Sequence, residues 1–105
     1  VIVNGFNKNS ILENLNIFNN NKFIVKNNIN IFEFQTLIKH SESLITCHGA
    51  PSHIASSYNI KVIDIIDKSE RDFFESYNYH FPKKIQLFRE NFINLSKKIL
   101  VSVNI

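Results

Sequence analysis

The chain has 105 residues, 44% of them hydrophobic and 20% charged, with a formal net charge of +3. That is the composition of a folded domain, not of a disordered chain, and its scattered Lys and Arg residues do not form the clustered basic surface of a nucleic-acid binder. One cysteine excludes an internal disulfide framework, and no apolar run approaches the roughly 18 residues needed to span a bilayer.

A domain near this size buries only about 60–65% of its unfolded surface. The sequence opens on the apolar run Val1-Ile2-Val3, without an initiator Met or a basic n-region. It therefore reads as part of a longer protein, with no signal peptide. Val1-Ile2-Val3 predicts a strand and Asn4-Gly5-Phe6-Asn7 a turn. Ser10 and Glu13 have capping-box spacing, and Ile11, Leu12, Leu15 and Phe18 give the following helix its apolar face. Asn19-Asn20-Asn21 ends that helix, and Phe23-Ile24-Val25 is a second strand.

Asn30 and Glu33 repeat the cap spacing, so a helix with Ile31, Phe34, Leu37 and Ile38 on one face is predicted to run to about His40. Leu44-Ile45-Thr46 is a third strand, and a tight connection from Cys47 to Ser52 leads into a short helix carrying Ile54, Ala55 and Tyr58. Val62-Ile63-Asp64-Ile65-Ile66 is a fourth strand, apolar except for Asp64, as suits a sheet covered on both sides. Ser69 and Asp72 open a helix to about Tyr77, and Pro82 breaks the chain. Ile85, Phe88, Phe92, Leu95 and Ile99 recur at spacings of three and four, predicting a closing helix over 85–100. Strands alternating with helices of 8–15 residues imply βαβ units with right-handed crossovers. The fold class is α/β: a parallel Rossmann-like sheet of about four strands with helices on both faces, in one domain spanning 1–105.

The segment from Leu44 to Ala55 carries the functional signal. A buried strand ends at Thr46, small residues follow, and Pro51 sits where a helix begins. Helix-opening N–H groups and the dipole make such a turn an anion site at the carboxyl end of a parallel strand. His53, in the first helical turn, is placed to donate to the same anion. The alternative is an ordinary strand-to-helix turn capped by Ser52 or Gly49.

With these residues in place, the stretch from Asn30 to Ile66 resembles the C-terminal half of a family 9 glycosyltransferase, the heptosyltransferase type. Its Phe34-Gln35-Thr36-Leu37-Ile38 and Ser43-Leu44-Ile45-Thr46 match the family's helix and strand, and Pro51, His53, Ile54 and Ala55 match its D-[ST]-G-P-x-H-x-A turn. Asn59-Ile60-Lys61-Val62-Ile63 enters the family's next strand, and Val1 to Phe6 is similar to its preceding strand and turn. The family's acidic residue falls on His48, its Ser/Thr on Gly49 and its Gly on Ala50. The acidic position contacts the donor sugar in relatives. His48 in its place offers an imidazole for phosphate, sugar or base.

The resemblance implies the C-terminal, donor-binding half of a GT-B fold. His48, Gly49, Ala50, Ser52 and His53 would hold the diphosphate of a nucleotide-sugar donor, with Asp67 as a nucleoside contact or else a helix cap or surface carboxylate. It implies transfer to a saccharide or lipid-linked acceptor in cell-envelope polysaccharide biosynthesis. Catalytic residues would lie in a missing N-terminal domain, and neither metal nor cofactor would be required. It also implies a cytoplasmic protein, with peripheral inner-membrane contact as a variant.

Alternatives are half of a nucleotide-sugar 2-epimerase, a non-catalytic α/β interaction module, or a degenerate transferase that no longer binds donor. Cys47 beside a histidine reads as a buried structural thiol before a nucleophile. His40, His48, His53 and His80 lack compact metal-ligand spacing. Lys68, Arg71, Lys83 and Lys84 read as a solvated basic rim, and Phe73, Phe74, Tyr77, Tyr79 and Phe81 as packing aromatics. Asp64 reads first as a structural hydrogen-bonding group, and otherwise as a site residue.

Overall fold

The computed structural model describes residues 1–3, 24–26, 28–70 and 83–105. The predicted turn at Asn4–Asn7, the helix from Ser10, Arg71, His80, Pro82 and the aromatic cluster between Phe73 and Phe81 lie outside the described residues. The chain divides into two compact units, Val1–Thr36 and Leu37–Ile105.

In the first unit, β1 (Ile2–Val3) pairs in parallel with β2 (Val25–Lys26), Ile2 standing opposite Val25. Ile29 and Phe34 are buried. The cap expected at Asn30 is present: Glu33 N donates to Asn30 Oδ1 at 2.9 Å and Asn30 Nδ2 donates to Glu33 Oε1 at 3.0 Å. This reciprocal pair satisfies a helix-opening donor and starts α1 (Ile31–Lys39).

The second unit is built on a three-stranded parallel sheet. β3 (Ser43–Cys47) pairs with β4 (Lys61–Ile66), which pairs on its other side with β5 (Lys84–Phe88). The register sets Thr46 opposite Asp64 and Asp64 opposite Gln86. Between β3 and β4 runs α2 (Ala50–Ser57), with Pro51 in its first turn. Asn59 ends this helix at φ 59°, where Asn tolerates the left-handed region. Ile60 N donates to Ala55 O at 2.9 Å and Asn59 N to Ser56 O at 3.0 Å. This is the Schellman arrangement, and it turns the chain directly into β4. A 3₁₀ turn (Lys68–Glu70) follows β4, and α3 (Phe92–Val103) follows β5.

Successive side chains of a strand point to opposite faces. Asp64 reaches Ser52 of α2, whereas Lys61 Nζ donates to Ser102 O at the end of α3. Residues 61 and 64 differ by an odd number, so α2 and α3 cover opposite faces of the sheet. Val62, Ile63 and Ile66 of β4, with Ala55 of α2, are at most 2% exposed and form the core between these layers. An α/β unit with a parallel sheet and helices on both faces is thus present.

Two sequence expectations are corrected. The larger sheet has three strands among the described residues, not about four. The first two pair with each other, and the third strand of the larger sheet is β5. Nor is 85–100 one helix: Lys84–Phe88 is a strand and the helix begins at Phe92. The spacing of Ile85 and Phe88 suits a helix, but the edge of β4 supplies backbone partners that override it. Val62 N donates to Lys83 O at 3.0 Å and Arg89 N donates to Ile66 O at 2.8 Å. Asn91 then starts the helix anew, its side chain accepting from Asn94 N at 3.0 Å.

Candidate functional site

The turn from Cys47 to Pro51 crosses from the carboxyl end of β3 to the start of α2. His48 N donates to Ile65 O at 3.1 Å, extending the ladder one residue beyond β3. Gly49 stands at the helix cap in an extended conformation, with no side-chain cap bond. Its carbonyl accepts from Ser52 N at 3.1 Å and His53 N at 3.5 Å. Of the amides expected to face an anion, those of Ser52 and His53 are therefore occupied by the first turn of α2. Gly49 N and Ala50 N have no hydrogen-bond partner among the described residues, and Pro51 has no N–H. An anion at this turn would therefore have two amides to meet, not four. A Cβ built on Gly49 would meet only Pro51 Cδ at 3.8 Å and Cys47 O at 4.0 Å. The packing of the chain itself does not demand glycine there.

Beneath the turn lies a polar knot. Asp64 is 0% exposed in the middle of β4. Its Oδ1 accepts from Ser52 Oγ at 2.8 Å, and its Oδ2 lies 2.5 Å from His48 Nδ1. Ser52 is also 0% exposed, while the His48 side chain is 17% exposed. A buried carboxylate needs such partners, because desolvation without compensation costs several kcal/mol. Ser52 consequently enters the site from below, as a donor to Asp64. His48 covers Asp64, so a guest at the turn meets imidazole before it meets the carboxylate. The exposed His53 stands beside it, the two rings edge to face with centroids 5.6 Å apart.

The sequence pointed to a structural hydrogen bond for Asp64 but did not reveal its partners. The available signal was that an acid inside an apolar strand must be satisfied from the neighbouring parallel strand or its following helix. Ser52 and His48 lie 12 and 16 positions away, and only the β3–β4 register brings them together.

Lys84 departs from the expected solvated rim. In β5 it stands opposite Val62, on the same sheet face as Asp64, and its Nζ is enclosed. Burial pulls its pKa below the ordinary 10.5, while the charge of Asp64 acts to raise it. Lys68 and Lys83 are exposed. Cys47 is likewise not a buried structural thiol: it is exposed at the end of β3, and Arg89 Nη2 donates to its Sγ at 3.4 Å. Asp67 is exposed and pairs with Arg89 at 3.5 Å, so it is held at the rim after β4 by an ion pair. Among the described residues, no three His, Cys, Asp or Glu side chains gather as a metal site, and no helix is long and apolar enough to cross a membrane.

No protein-family model, curated protein or solved structure matches this chain.

Proposed function

We propose that this chain is the donor-binding part of a glycosyltransferase, and that the turn from His48 to His53 receives the diphosphate of a nucleotide sugar. The observation that carries this reading is the pair of amides at Gly49 and Ala50, at the carboxyl end of a parallel strand and the start of α2, with His53 exposed beside them. Open α/β sheets bind ligands at that edge, and helix-opening amides favour anions. The space tolerated at Gly49 Cα supports close approach of a guest to the backbone.

As a glycosidic bond to a diphosphate breaks, negative charge grows on the leaving oxygen. Two fixed amides and an imidazole offset that charge with little reorganisation. The acceptor, saccharide or lipid-linked, and the residue that activates it would belong to a companion domain. Asp67 stands at the rim after β4, where a nucleoside would lie beside the diphosphate. It would have to exchange its Arg89 partner to touch ribose.

Isothermal titration calorimetry with UDP, GDP and ADP tests the reading. His53→Ala is expected to weaken binding of the preferred diphosphate by about 1–3 kcal/mol, as for a hydrogen bond to a charged group. Unchanged affinity would remove His53 from the site. Absence of binding by all three diphosphates at millimolar concentration would remove the donor assignment.

A further inference from the structure

The three strands of the larger sheet end on Cys47, Asp67 and Arg89. Cys47 is the last residue of β3, while Asp67 and Arg89 directly follow β4 and β5. Arg89 N donates to Ile66 O at 2.8 Å, which fixes its backbone at the carboxyl end of the sheet. From there its side chain turns back across that end. Nε pairs with Asp67 Oδ1 at 3.5 Å, beyond the neighbouring strand, and Nη2 donates to Cys47 Sγ at 3.4 Å, beyond the strand after that. Neighbouring strands lie about 4.8 Å apart, so the guanidinium lies across the sheet end instead of extending into solvent.

Neither partner saturates this group. A guanidinium carries five N–H donors in one plane. A thiol sulfur is a weak acceptor, and the Asp67 contact is long for a hydrogen bond. Nη1 has no hydrogen-bond partner among the described residues. The Arg89 side chain is 57% exposed, so its remaining donors can be reached from outside. A cation held this way stands at the edge where open parallel sheets take their ligands.

We propose that Arg89 is an oxyanion-binding residue, and that a phosphate-type group displaces the Cys47 thiol as the acceptor of its Nη donors. Two phosphate oxygens match the parallel N–H directions of a guanidinium edge, which a single sulfur atom does not. The ligand class is a phosphate or diphosphate ester. Asp67 then keeps its Arg89 partner and acts as a positioning residue in place of a ribose contact. The oxyanion site stands on Arg89 and not on the amides of the turn. That its guest is the diphosphate of a nucleotide sugar rests on the donor-site reading above.

The test is titration of the full 105-residue chain with pyrophosphate, at low ionic strength because salt screens exposed charges. Affinity is read by calorimetry, and the Arg89 side-chain Nε–H and the backbone amides are followed by proton–nitrogen NMR. Pyrophosphate is expected to shift the Arg89 side-chain resonance. Arg89→Gln is expected to weaken binding about 10-fold or more, and Arg89→Lys, which keeps the charge without the fork, to recover only part of that loss. Lys97→Gln removes the same charge from an exposed position on α3 and is expected to bind like wild type. Arg89→Gln that binds as wild type, or no worse than Lys97→Gln, overturns the proposal; shifts of the Gly49 and Ala50 amides in that case would leave the donor reading standing without Arg89. Full recovery in Arg89→Lys would overturn the forked contact. A shifted Arg89 with unmoved Gly49 and Ala50 amides would uphold the Arg89 site and overturn the donor reading of the turn. No binding at millimolar pyrophosphate overturns both.

Discussion

Replacing Ser52 by Ala removes the one hydroxyl that α2 aims at the buried carboxylate. Ser52 Oγ donates to Asp64 Oδ1 at 2.8 Å, and both residues are 0% exposed, so no water can substitute without opening the layer. A hydrogen bond to a charged group contributes about 1.5–3 kcal/mol. Ala is the better helix former by about 0.5 kcal/mol, which offsets part of the loss. The net expectation is a destabilisation of about 1–2.5 kcal/mol, or a fall in melting midpoint of about 4–20 °C for a domain of this size. Urea unfolding followed by far-ultraviolet circular dichroism gives the difference directly. Ser57→Ala is the control: its hydroxyl bonds to Ile54 O at 2.7 Å on the exposed side of the same helix, so its change should stay within about 0.5 kcal/mol. A double-mutant cycle with Asp64→Asn should return a coupling of at least about 1 kcal/mol, because the two residues share one contact. If Ser52→Ala behaves like Ser57→Ala, the carboxylate does not depend on this hydroxyl, and the knot beneath the turn does not hold it in place.

Two further outcomes concern other elements of the same sheet. Lys84 has a lowered pKa in the folded chain, so the unfolded chain binds more protons as pH rises toward 10.5. Stability should climb across the window between the folded value and 10.5, with the full penalty present below it. Lys84→Met should flatten that climb in stepwise urea midpoints, and parallel curves for the two proteins would show that burial of Lys84 has no energetic consequence. Asn91→Ala should cost about 1 kcal/mol through loss of the cap on α3, and Asn91→Gly only a few tenths. Equal stability of all three proteins would mean that α3 does not start at this cap.

The alternation of strand and helix was readable wherever local chemistry agreed with the tertiary structure. The Asn30–Glu33 spacing produced the cap it predicts, and the β-branched runs before Cys47 and after Lys61 became β3 and β4. Pro51 lies in the first turn of α2, as its missing N–H favours. The reading failed at 84–88, where Ile85 and Phe88 fit helical spacing but the unpaired edge of β4 supplied a stronger partner. It failed again at Cys47 and Lys84, whose exposure depends on which sheet face each one occupies. At the candidate site the turn was legible, and the coupling of His48 and Ser52 through Asp64 was not. Periodicity identifies which residues share an element. Register determines which residues 12 or 16 positions apart share a hydrogen bond.

The proposal that this turn receives a diphosphate is best judged amide by amide, in a proton–nitrogen correlation spectrum recorded during titration with UDP, GDP and ADP in turn. The Gly49 and Ala50 resonances should move most with the diphosphate that binds, while Ser52 N and His53 N, already bonded to Gly49 O, move less. Shifts concentrated elsewhere in the sheet, or a turn that stays still with all three ligands, would contradict it.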